Sequence, residues 1–227
     1  MEKERILVPE SLQETLLRLE EVRQGFRTGS DAHVKEALDW VLSRQGLKGS
    51  YRGLFAPTDQ DCVQGVRLLT GECLGSYGST RHILGEEALR TAIAWNLRSS
   101  PAVTKALMGF SQILEDASRP ERSGFYCCHK CTAAFLRTLA AAKPDNWDRI
   151  LEQGVDKIRE ARTSDGRWHG FPFYYTLLTL SEIGIPSSTM ELRYARKVAE
   201  RLLGRSQKED RTSRFRKLAL ESTLSVF

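Results

Sequence analysis

No stretch of this chain approaches the roughly 18 uninterrupted apolar residues that cross a bilayer. Its first residues, Met1-Glu-Lys-Glu-Arg-Ile, lack the apolar core of a secretory leader. Both absences lead to the expectation of a cytoplasmic protein without a membrane span. Also missing is any run of apolar and polar residues alternating at period two, which excludes a sheet as the framework. There is no zinc-finger spacing and no basic stretch interleaved with aromatics, so nucleic acid is not an expected partner. The formal net charge is only +5. Much of the excess is Arg201, Arg205, Lys208, Arg211, Arg214, Arg216 and Lys217, which face few acids and read as a solvated helix face.

At 227 residues, 41% hydrophobic and 28% charged, the chain can bury a core without covalent staples. Its five cysteines are an odd number, and in a reducing compartment clustered cysteines bind metal or do redox chemistry more often than they form disulfides. Three of the five cysteines and one of the four histidines fall within Ser123-Gly-Phe-Tyr-Cys-Cys-His-Lys-Cys131, directly before an apolar run from Thr132 to Ala142.

Helical periodicity fills most of the remainder. Leu12, Leu16, Leu17, Leu19 and Val22 form one stripe; Val34, Ala37, Leu38, Val41 and Leu42 form another, behind a Ser30-Asp31 cap. Pro57-Thr-Asp opens a third helix predicted to reach Leu69, and the glycine-rich segment 71–79 reads as a turn. Further helices are expected over 80–97, from Ser100-Pro101 to Leu114, from an Asp145 cap through Ile158, over the apolar run 173–185, and over 189–203 and 211–224. An amphipathic helix, a glycine-aromatic loop and a more apolar helix recur at Val34–Leu69, Ala102–Ala142 and Trp147–Gly184. The loop marks are Gly49-Ser-Tyr51, Ser123-Gly-Phe125 and Asp165-Gly-Arg-Trp168. A period of about forty residues with two helices predicts an array of αα-hairpins with the apolar helices inside. The fold class is therefore all-α, an α/α-hairpin repeat array.

Asp165-Gly-Arg-Trp-His-Gly-Phe-Pro-Phe-Tyr-Tyr-Thr-Leu-Leu-Thr-Leu180 resembles the tryptophan-bearing hairpin of the terpenoid cyclase and protein prenyltransferase superfamily. Ala37-Leu-Asp-Trp-Val-Leu-Ser-Arg-Gln45 is similar to the outer helix preceding such a loop. The resemblance spans residues 30–225 and is sharpest at 123–140 and 165–184. It implies an incomplete or small α/α toroid over 1–227, with 1–28 as an N-terminal helical extension. It also implies a cavity for a hydrophobic, isoprenoid-like small molecule, and a second copy or a partner protein that closes the array.

Three sites follow from the resemblance. Cys131 matches the cysteine ligand of the family's catalytic zinc, His129 its aspartate and Tyr175 its histidine; tyrosine is a poor neutral ligand, so Cys127 and Cys128 can supply thiolates instead. On a helix Cys127 and Cys131 are i,i+4 neighbours and Cys128 and Cys131 are i,i+3, so a pair can meet one tetrahedral metal. His82 and Cys62, near other inner-helix starts, can complete the shell, and zinc is the expected cofactor. Thr58-Asp-Gln-Asp-Cys62 resembles the acid loop of class II cyclases, with Asp61 as proton donor and Asp59 as its orienting partner, although Cys62 replaces the last aspartate. Trp168, Tyr174 and Tyr175 would line the ligand cavity or pack the hairpin loop. Cys128-His-Lys-Cys131 can also be a redox pair at a helix N-terminus. The rival to an enzyme is a non-catalytic helical scaffold with a structural metal or plain cysteine packing.

Overall fold

The computed structural model describes residues 5–205 and 209–227; Lys208 of the basic run and residues 1–4 of the expected N-terminal extension lie outside the described residues. Among the described residues the structure is all-α, with ten helices and a few isolated bridges as its only extended pairing. None of these helices is long and apolar enough to cross a membrane. The chain divides into two compact units, Met1–Val66 with Leu74–Leu114, and Arg67–Cys73 with Glu115–Phe227.

In the first unit α1 (Leu12–Arg23) and α2 (Asp31–Ser43) start where the sequence predicts, with Ser11 and Ser30 accepting the N–H groups of Glu14 and His33. A short α3 (Asp59–Gln64) follows a Thr58 cap. The predicted continuation to Leu69 does not occur. Gly65 takes φ +76, a left-handed conformation that ends a helix and that glycine adopts without steric cost. The chain beyond it pairs instead, Leu74 N–H donating to the Val66 carbonyl at 2.8 Å. Next come α4 (Tyr77–Ala94), which starts inside the segment expected to be a turn, and α5 (Pro101–Ala117). Helices α1, α2 and α3 all pack on α4. Across the α1–α4 contact the buried Arg90 donates to Glu20 at 3.1 Å, and within α4 it donates to Glu87 at 2.9 Å.

Asp61 ties α1 to α3. Its carboxylate accepts the Ser11 hydroxyl at 2.6 Å, the Leu12 N–H at 2.9 Å and the Thr58 N–H at 2.9 Å. One buried side chain thus closes the capping box of α3 and fills orphan donors at the start of α1.

In the second unit α6 (His129–Ala142) and α8 (Phe173–Ile183) are the helices buried on nearly all faces. The amphipathic partners are α7 (Trp147–Glu160) and α9 (Pro186–Leu203), and α10 (Arg211–Leu224) follows. Two starts differ from expectation. The N-cap of α7 is Asn146 at φ +59, not Asp145; α9 starts at Pro186, whose ring presets the first helical φ. Helix α6 packs on α8 and α8 on α10, while α7 packs on α9; the connected pairs α6–α7 and α8–α9 also touch. Between α6 and α8 the side chain of Arg137, 1% exposed, donates to both oxygens of Glu182 at 2.8 and 2.7 Å. Its guanidinium lies over the Tyr175 ring, 5.4 Å from the centroid.

Two of the three glycine-aromatic loops share one hydrogen-bond plan. After α2, Ala56 N–H donates to the Arg44 carbonyl and Gly46 N–H to the Leu54 carbonyl; after α7, His169 N–H donates to Ala161 and Thr163 N–H to Arg167. Each plan frames one isolated bridge, Gln45 with Phe55 and Arg162 with Trp168, and the aromatic of each bridge is buried. In the first loop two arginines hold the backbone: Arg44 donates to the Ala56 and Pro57 carbonyls, and Arg81 to those of Gly49 and Ser50.

The capping role of Asp61 is open to measurement. Asp61→Ala strips the starts of two helices at once and is expected to cost about 3 kcal/mol, seen as a lower midpoint in denaturant unfolding followed by circular dichroism. An unchanged midpoint would mean that the carboxylate does not hold these helices.

Candidate metal centre

The cysteine cluster sits where the loop 118–128 enters α6. The loop reverses in a series of short turns: Arg122 and Ser123 N–H both donate to the Arg119 carbonyl, and Gly124 N–H donates back to Ala117. Gly124, at φ +84, lies against the backbone of α7, where an added Cβ would come within 2.4 Å of the Gly154 nitrogen. No other residue fits that approach.

The next turn sets the sulfurs. Cys128 N–H donates to the Tyr126 carbonyl at 2.6 Å, closing a three-residue turn with Cys127 at its centre at φ +56. Thr132 pins it from inside the helix: its hydroxyl accepts the Tyr126 N–H at 2.9 Å and lies 2.8 Å from the Cys128 carbonyl. Cys128 is the N-cap, and its side chain makes no capping bond. Cys127 is therefore outside the helix, not one turn below Cys131 on it, and the turn folds it back over the first helical residues. The sulfurs of Cys127 and Cys131 consequently lie within 4.8 Å of each other. Two thiolates on one tetrahedral zinc stand about 3.8 Å apart, given Zn–S bonds of about 2.3 Å, so a small side-chain rotation brings the pair to bridging distance. Cys127 is exposed and Cys131 fully buried.

His129, the next candidate ligand, is used for packing. Its ring meets Phe125 edge-on at 5.3 Å and Phe171 at 4.7 Å, and it fills the space over Gly170, where an added Cβ would lie 2.5 Å from Nδ1. The imidazole thus locks the loop before α6 to the loop before α8. Cys128 is half-buried at the helix cap.

The two remaining metal candidates lie in the first unit. His82, on α4, packs against the Tyr51 ring at 3.9 Å. Burial, with the neighbouring Arg81 charge, lowers its pKa to about 4, so at neutral pH it is the uncharged imidazole that ligates metals. Cys62, on α3, is pushed the other way: burial first, and the Asp61 carboxylate next, raise its thiol pKa, which makes it a poorer source of thiolate.

The aromatic candidates divide. Trp168 is buried, its indole N–H donating to Glu191 at 3.0 Å, and its ring stacks on Phe173 at 6.0 Å. Tyr175 is buried beneath Arg137. Tyr174 is half-buried, with the Arg216 guanidinium 5.0 Å over its ring. Asp59 is exposed in the first turn of α3, and Asp61 is engaged as the cap described above.

Residues that the sequence did not single out hold the site in place, and with them Arg216, which is docked on Thr70 and Tyr174 and is not simply part of a solvated face. Glu191, with no exposed surface, accepts both Arg162 nitrogens at 3.0 and 2.8 Å in addition to the indole. Lys130, between the clustered cysteines, donates to the Cys73 carbonyl at 2.6 Å, and Arg216 to the Thr70 carbonyl at 2.8 Å. Together they dock the small turn 67–73. The available signal was a charged residue next to an apolar face, which alone does not tell a docked side chain from a solvated one.

Two outcomes follow. Glu191→Ala leaves the buried Trp168 indole without its acceptor and frees the partly exposed Arg162, and is expected to cost about 2 kcal/mol; a loss under about 0.5 kcal/mol would mean that the loop does not depend on it. For His82 the folded pKa lies below the unfolded one, so the unfolded chain takes up the proton first as pH falls. The stability linked to His82 is full above pH 6.5 and is lost as pH falls toward about 4. With the ring partly exposed the loss is at most about 2 kcal/mol, and His82→Asn should remove that part of the acid dependence in unfolding curves taken across this range.

No family model, curated protein or solved structure matches the chain, so its function is read from its own residues.

Proposed function

We propose that the protein is a helical-hairpin scaffold whose second unit binds zinc through Cys127 and Cys131. The observation that carries the reading is the approach of these two sulfurs to within 4.8 Å at the start of α6. Two cysteines from a turn and the helix it enters are a recurrent way to hold half of a tetrahedral zinc shell. Zinc bound there pins the turn 126–128 to α6 and contributes its binding energy to folding. Cys128 and His129 are the further donors of this unit in contention for the shell. The protein-interaction role belongs to the helices themselves, since stacked hairpins present extended surfaces to partners.

A second reading, a prenyltransferase-like or terpenoid-cyclase-like protein with a hydrophobic ligand, draws support from the packing order. Helices α6, α8 and α10 contact in succession while α7 and α9 contact each other, as in an α/α toroid with two layers. The thiol pair then stands at the start of an inner-layer helix, and Tyr174 at the start of the next. In this reading a zinc with an open position would supply an activated thiolate or water. Against it stand the engaged contacts of Asp61, Trp168 and Tyr175, which serve the fold. The scaffold with a structural metal is therefore the first reading.

Metal analysis of tag-free protein, purified without added metal, tests it. About one zinc per chain is expected, lost in Cys127→Ser and in Cys131→Ser, with single substitutions at Cys128 and His129 reporting whether they complete the shell. Reduced, folded protein that carries no zinc and takes none up from a buffered zinc solution would overturn the reading.

A further inference from the structure

The same two sulfurs differ in a way that a structural metal does not require. Cys127 is exposed on a turn, whereas Cys131 is sealed in the core at 0% exposure. An oxidant in solution reaches the first and not the second. The second is within 4.8 Å of the first, and a disulfide needs the sulfurs about 2.05 Å apart. Cys127 lies on the turn before the helix and not in it, so the movement falls to a side chain outside the α6 hydrogen-bond ladder. An exposed thiol beside a buried one is the arrangement of an oxidised cysteine and its resolving partner.

We infer that Cys127 and Cys131 are a peroxide-sensitive thiol pair that closes to a disulfide. This goes beyond the metal reading and does not depend on it. The Cys127 thiolate attacks a peroxide oxygen; the O–O bond breaks, hydroxide leaves, and Cys127 becomes a sulfenic acid. The Cys131 sulfur then attacks the Cys127 sulfur; the S–O bond breaks and hydroxide leaves, taking up the Cys131 proton as water. Two thiols are oxidised by two electrons and hydrogen peroxide is reduced to two waters. A dithiol reductant reverses the step, regenerating both thiols and leaving as its own disulfide. Where zinc holds the pair, formation of the bond removes two ligands and releases the metal.

The sequence provides a clean assay. Trypsin cuts after Arg122, Lys130 and Arg137, leaving Cys127 and Cys128 on the peptide Ser123–Lys130 and Cys131 on Cys131–Arg137. The protein is treated with hydrogen peroxide, as purified and after a chelator, then alkylated, digested and analysed by mass spectrometry, with released zinc measured alongside. The two peptides should become joined, the link should vanish with dithiothreitol, persist in Cys128→Ser and be absent from Cys127→Ser. Peptides that stay separate in both arms, or a link undiminished in Cys127→Ser and lost in Cys128→Ser, would overturn the inference. A link without zinc at any stage leaves this inference standing and removes the metal reading; zinc without a link does the reverse.

Discussion

A carboxylate with no exposed surface must be matched by donors, because an uncompensated buried charge costs several kcal/mol, on the order of a third or more of a domain's stability. Glu191 is matched by Arg162 at the end of α7 and by the indole of Trp168, and much of the second unit is arranged by that requirement. With Trp168 fixed, the chain that follows has no freedom over where Gly170 and Phe171 lie. These residues form the wall on which His129 rests, and His129 is the first residue of α6. The cysteine turn is thus linked to Glu191 through the Trp168 indole and the contact of Phe171 with His129. Arg137 and Glu182 do the corresponding work between α6 and α8, helped by the Thr179 hydroxyl, which donates to the Ala133 carbonyl at 3.3 Å.

The likeness between two loops of this chain lives in the backbone more than in the letters. The loops after α2 and α7 differ in length and in most residues, yet each returns the chain with the same two hydrogen bonds around one bridge and buries the aromatic of that bridge. A helix end leaves carbonyls without partners, and a returning extended segment satisfies them while bringing an apolar ring under the helix. Different side chains then stabilise the same backbone solution: Arg44 and Arg81 donate to carbonyls in the first loop, whereas Arg162, Trp168 and Glu191 form a side-chain cluster in the second.

This explains what could be read from sequence. Helix content was legible because stripes such as Val34, Ala37, Leu38 and Val41 are one-dimensional patterns, and the Ser30 cap because it acts within three residues. The end of α3 was not legible, since Gly65 in Gln64-Gly-Val66 carries no mark of its φ. Asp61 looked like half of an acid pair because its partners, Ser11 and Leu12, are distant in sequence. The thiol pair was half legible: Cys127 and Cys131 were named together, but as helical neighbours. What joins them is a turn closed by a backbone bond, which no spacing rule encodes.

That turn has a physical peculiarity that bears on its chemistry. A non-glycine residue at φ +56 is disfavoured by roughly 1 kcal/mol, and glycine or asparagine would serve the backbone better. Arg52, Ser123 and Lys143 take similar positive φ values in this chain, so the conformation is tolerated at 127. What the thiol adds is a sulfur held over Cys131, at a point where solvent meets the core. A soft metal and a peroxide would compete for that same pair of sulfurs, since a thiolate that ligates zinc is withheld from oxidation and a disulfide has no lone thiolate to give. On the two proposals made above, a metal-bound state and an oxidised state would exclude each other at this turn.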